Sequence, residues 1–248
     1  MEPTDHETRR GKPGSGTWDA SGDAAAVAAG EASDPPLGPH AAAILATEHW
    51  SLLAARSLIW NEAMSRATVF LTVLSASIIA LALLADATGF GSQTTTLALV
   101  LLPMVFLVGI ATYARLVQIN TEEFQLVLAM NRLRHAYVQI EPGLERYLTT
   151  GHHDDERGLI ATYMLDGPSR RWLLVHFLVN TPMIVATVDA ALAAAIVVLL
   201  LHVGDAPRAA QIAGGTAAFV VVWGVLLRLQ LHTLSPLRGK TPRFPSPV

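Results

Sequence analysis

The chain has 248 residues, 52% of them hydrophobic and 15% charged, with a mean hydropathy of +0.41, a net charge of −3 and no cysteine. Low charge combined with long apolar runs points to a protein embedded in a bilayer. The missing cysteines exclude disulfides, thiolate nucleophiles and cysteine-held zinc or iron–sulfur clusters, and a slightly acidic chain gives no global case for nucleic-acid binding, which usually needs a basic face.

Residues 1–39 are rich in Gly, Pro, Ser and Ala and have no apolar period. Such a segment buries too little apolar surface to offset its ordering entropy and is predicted to be a disordered tail. It is not a signal peptide, because no apolar core follows its early bases. A helix is predicted over 40–66, where Ala46, Trp50, Leu53, Ser57, Trp60 and Met64 recur at alternating spacings of four and three. That spacing lines one face of a helix. Four apolar stretches follow, at 67–85, 96–114, 179–201 and 209–227. Each is long enough, at about 1.5 Å per residue, to cross a hydrocarbon core of about 30 Å. The second contains Pro103, which is expected to kink it.

The second span is expected to run on through 118–140, with a stripe at Leu126, Met130, Leu133, Tyr137 and Ile140 that packs against the stripe of 40–66. Glu141-Pro142-Gly143 stops it. Asp154 and Asp155 are expected to cap a short helix over 156–165, broken by Asp166-Gly167-Pro168, and Ser169 to cap the helix entering the third span. The fold class is therefore all-α integral membrane, with four transmembrane helices in a four-helix bundle and helical cytoplasmic extensions. Its segments are a tail (1–39), a cytoplasmic helix (40–66), a first transmembrane hairpin (67–114), a cytoplasmic helical segment (115–178), a second hairpin (179–231) and a basic, Pro-rich tail (232–248). Sixteen of the 17 bases avoid the connections 86–95 and 202–208. By the positive-inside rule both termini are expected in the cytoplasm.

Asp189 lies near the middle of the third span, where a carboxylate costs at least about 2.5–3.5 kcal/mol. It is the candidate intramembrane polar or proton-handling residue. Among Thr72, Ser75, Ser77, Thr187, Thr216 and Trp223, a neutral carboxylic acid would find one interhelical hydrogen bond. Ala186, Ala190 and Ala194 make a small-residue ridge beside it, and Gly214 with Ala218 another. Glu62 and Arg66 form an i,i+4 pair at the mouth of the first span.

The run His152-His153-Asp154-Asp155-Glu156 contains metal-ligand residue types. Sequence neighbours converge on one ion only if the loop folds back, so a solvated loop with capping acids is expected there. No metal, cofactor or catalytic residue is predicted. Gly239-Lys240-Thr241 lacks the upstream glycine and strand of a phosphate loop.

The blocks Glu48-His49-Trp50-Ser51-Leu52-Leu53-Ala54-Ala55-Arg56-Ser57 with Trp60-Asn61-Glu62, Met130-Asn131-Arg132-Leu133-Arg134-His135-Ala136-Tyr137, and His152 to Glu156 resemble those of a bacterial family of small four-span integral membrane proteins. The likeness covers 45–235. It implies the same topology and an inner (plasma) membrane, and it brings no reaction, ligand or catalytic residue. A non-enzymatic scaffold or assembly subunit is the expected function. It would form a homo-oligomer and bind a cytoplasmic or membrane protein partner through an interface at Trp50, Leu53 and Trp60. The rival is an oligomeric ion channel or proton-coupled carrier using Asp189.

Overall fold

Apolar runs of this length settle into helices because a helix satisfies its own backbone hydrogen bonds where no water can. The computed structural model describes residues 37–38, 40–89, 91–163, 180–233 and 241–247, and the described residues contain helices and no strand. The long helices are α1 (Ala41–Thr88) and α2 (Ser92–Ile140). A 3-10 turn (Pro142–Tyr147) and the short α3 (Glu156–Thr162) come next, then α4 (Thr181–Val203) and α5 (Arg208–Thr233). α1, α2, α4 and α5 are each long and apolar enough to cross a membrane. Except for 37 and 38, the tail expected over 1–39 lies outside the described residues. So do the 166–168 break, Ser169 and the segment 234–240.

At about 1.5 Å per residue, the 48 residues of α1 and 49 of α2 make rods of roughly 70 Å, more than twice a hydrocarbon core. Each is one continuous helix, and α2 passes through Pro103 without interruption. The first half of α1, 41–66, and the second half of α2, 115–140, build a polar layer with α3 and residues 241–247. The two rods are antiparallel: Arg56 pairs with Glu123, Glu62 with Arg115, and the His49 ring stacks on Tyr137 at 5.9 Å.

Packing proceeds from α1 to α2, α2 to α4, and α4 to α5. α5 closes back on α2, where the Tyr113 hydroxyl donates to the Leu226 carbonyl. Phe70, Val105, Leu116, Met183, Ala186 and Leu226 belong to the core between these helices. α4 starts cleanly because the Asn180 side chain accepts from the Met183 N–H at 3.1 Å and Pro182 fits the first turn.

One packing expectation is overturned. Trp50 is 73% and Trp60 57% exposed, with Leu53 half-buried, so the stripe through them does not face α2. The face turned to α2 runs through His49, Arg56, Ile59, Ala63 and Phe70. At four points it lies one residue earlier than the expected stripe, a rotation of about 100°. Of the expected α2 stripe, Met130 is buried and Leu126, Leu133 and Tyr137 are half-buried, while Ile140 at its end is exposed.

Candidate functional site

Three polar constellations stand out, two in the polar layer and one among the apolar helices. The first joins α1 to α2. The Arg115 guanidinium takes Glu62 with two bonds of 3.0 Å each and reaches Glu122 at 2.9 Å. Arg66 adds a bond of 2.8 Å to Glu62. Arg56 meets Glu123 at 3.0 Å and lies over the Tyr163 ring, 6.0 Å from its centre. The expected Glu62–Arg66 pair is thus one edge of a network whose hub, Arg115, comes from the other helix.

Hydrogen bonds from Arg115, then Arg66, hold the Glu62 carboxyl down to about 2 from an ordinary 4.5. A group depressed on folding stabilises the fold above its unfolded value and loses that contribution as pH falls toward its folded one. With cysteines introduced at exposed Ala54 and Gln125 for spin labels, the interhelix distance is expected to hold from pH 7 to about 5. It should broaden between about 4.5 and 2, and Glu62→Gln should remove that step. A distance indifferent to acid would show that the network does not hold the pair together.

The second constellation brings together two sequence blocks, 130–137 and 152–156. Asn131 is fully buried on α2. Its amide donates to the carbonyls of His153 (2.9 Å) and Gly158 (3.1 Å), and its oxygen accepts from Arg134 (2.7 Å) and Thr162 (2.9 Å). All its main bonding capacity is used, which locks loop and α3 onto α2. Gly158 makes this approach possible, since a Cβ there would land on the His153 carbonyl.

Asp154 is not the solvated cap expected of it. Its side chain is fully buried and takes Arg132 Nε at 2.6 Å, the Arg243 N–H at 3.1 Å and the Phe244 N–H at 2.7 Å. Burial works against its charge, but the Phe244 N–H and Arg132 outweigh that and keep it below the ordinary carboxylate range. Asp155 does cap α3, accepting from the Gly158 N–H at 2.7 Å, and it also takes the Ser246 N–H at 2.7 Å. Residues 241–247 are therefore strapped across the loop.

Under that strap lie three imidazoles. His152 and His153 have ring centres 4.1 Å apart, and His135 of α2 is 6.1 Å and 5.8 Å from them. Phe244 stacks on His135 at 4.2 Å. Desolvation, then the neighbouring imidazoles, lower the basicity of His135 and His152. Sequence reading left His135 out of this group, because its only cue was membership of a helix 17 residues upstream.

The third constellation is Asp189. It is fully buried in α4 beside Ala186 and Ala190, facing Gly109 of α2 so closely that a Cβ on Gly109 would fall on the carboxyl. Both carboxyl oxygens lack a hydrogen-bond partner among the described residues. The expected interhelical bond is not made. Trp223 donates instead to Thr187 at 3.2 Å, while Thr72, Ser77 and Thr187 bond carbonyls of their own helices. Ala186 and Ala190 of the expected ridge are both fully buried. No family model, curated protein or solved structure matches this chain.

Proposed function

We propose that this chain is a multi-pass scaffold or assembly subunit of a bacterial inner membrane. Both its ends are cytoplasmic, and it binds a protein partner through the outward face of α1. One observation supports this reading most. The polar half of α1 packs on α2 by one face and leaves Ile44, Trp50, Leu58 and Trp60 exposed, at 69%, 73%, 70% and 57%. Tryptophans at exposed positions are the side chains most enriched in interface hot spots. The distribution of Lys and Arg supports the orientation, and the family resemblance supports the inner membrane.

A photo-crosslinking residue at position 50, introduced in cells, is expected to give a discrete protein adduct that Trp60→Ala weakens at least about tenfold. An adduct of twice the chain mass would identify a second copy as the partner, and any other discrete mass a different protein. A correctly inserted protein with no discrete adduct would remove the scaffold reading.

A second reading, a proton carrier, is favoured by Asp189, because a buried carboxyl without partners is costly to keep. It needs water to reach a side chain that the surrounding helices seal. Proton flux in liposomes that Asp189→Asn abolishes would put it in place of the scaffold.

A further inference from the structure

We propose that His135, His152 and His153 form a binding site for one divalent transition-metal ion of the zinc class, roofed by Phe244. This goes beyond the scaffold reading and does not depend on it.

One ring nitrogen from each histidine lies within 4.8 Å of the other two. A tetrahedral zinc ion with Zn–N bonds of about 2.1 Å sets its nitrogens about 3.4 Å apart. Side-chain rotations that move each nitrogen by about an ångström close the set, with no change in backbone. The backbone is already fixed on both sides. Asn131, four residues before His135, anchors the His153 carbonyl, and Arg132 with residues 243 and 244 anchors Asp154. Preorganised ligands of this kind lose little entropy on binding.

The Nδ1 atoms of His135 and His153 are buried with no hydrogen-bond partner among the described residues. A buried nitrogen left unpaired is costly, and a metal ion uses the lone pair that no protein donor meets. Three histidines leave a fourth tetrahedral position open, which water or an exogenous ligand can take. Three nitrogens select zinc-like ions over magnesium or calcium, which take oxygen ligands. The sequence run 152–156 alone offered no converging set; the fold supplies the third ligand from α2.

The test uses the full chain in detergent, purified without a polyhistidine tag and stripped with a chelator. Titrated with Zn2+, it is expected to bind one ion per chain, and Co2+ should give the visible bands of a four-coordinate site. His135→Gln should weaken binding by more than about 100-fold, since losing a mere second-shell partner already costs 10–100-fold. His49→Gln, on the neighbouring stack with Tyr137, should leave it unchanged.

Because a single variant can also loosen the loop, hydrogen exchange on the unmutated protein provides a second readout. Zn2+ should slow exchange across 151–155 and 243–246 by at least about tenfold, and Mg2+ should not. The proposal is overturned if Zn2+ binds no more tightly to the unmutated chain than to the His135→Gln, His152→Gln, His153→Gln triple variant. It is equally overturned if protection appears elsewhere than in the loop and strap. In either case the three rings act only as a stack for Phe244.

Discussion

Gly109→Ala is expected to destabilise the protein by about 1–3 kcal/mol, the usual cost of forcing atoms into a packed contact. The new methyl lands on the Asp189 carboxyl, which is sealed on α4 and has no empty space to retreat into. In an Asp189→Ala background the same change should cost less than about 1 kcal/mol, because the colliding atoms are gone. The difference is a coupling energy, and only residues in contact show one of this size. Asp189→Ala alone should not lower stability, since it removes two unpartnered buried oxygens, each costing about 1–3 kcal/mol. Reversible unfolding in mixed micelles measures all four corners of the cycle. Equal losses from Gly109→Ala in both backgrounds would rule out the α2–α4 contact at this position. A variant at Asp189 that keeps stability and loses activity would mark the carboxyl as retained for function.

Asp154→Ala carries the second large effect. It deletes the acceptor for two backbone N–H groups of the strap and for Arg132. Hydrogen bonds to a charged group contribute about 1.5–3 kcal/mol each. Losing two should move the docked-to-free balance of 241–247 by at least about 100-fold, at 1.4 kcal/mol per tenfold. Trypsin cutting after Arg243 reads this directly, and cleavage should accelerate accordingly. Asp154→Asn, which keeps the shape but lacks the charge, should fall between. Cleavage as slow as in the unmutated protein would mean that the remaining contacts, Asp155 with Ser246, the Asp154 N–H with the Phe244 carbonyl and the His135 stack, suffice to hold the strap.

Much of the fold was legible in the sequence because the bilayer imposes one strong rule, length of apolar run, and the four helices follow it closely. The third and fourth spans fall within two residues of α4 and within six of α5. Helix facing was harder to read. The expected α1 stripe follows Trp50 and Trp60 as core residues, whereas the contact with α2 includes His49 and Arg56, polar side chains that find polar partners. Apolar periodicity cannot register a face held by ion pairs and stacking.

The candidate sites divide the same way. Asp189 was visible because a lone carboxylate in an apolar run needs no partner to be noticed. Its facing Gly109 was not, since 80 residues separate them and a glycine carries no chemical mark. The histidine cluster depended on a loop folding back, and what folds it is Asn131, a residue that reads as an ordinary polar position on a helix.

The unbroken course of α1 from Ala41 to Thr88 has a mechanical consequence. With no joint between the apolar half and the half bearing Trp50, the rod acts as a lever pivoting near Arg66. About 25 residues lie beyond that pivot, or roughly 37 Å, so a lean of about 10° sweeps the tip sideways by roughly 6 Å. Helices answer a thinner or thicker membrane by leaning. The tryptophan-bearing arm would therefore convert a change in lipid thickness into a sideways displacement of its tip.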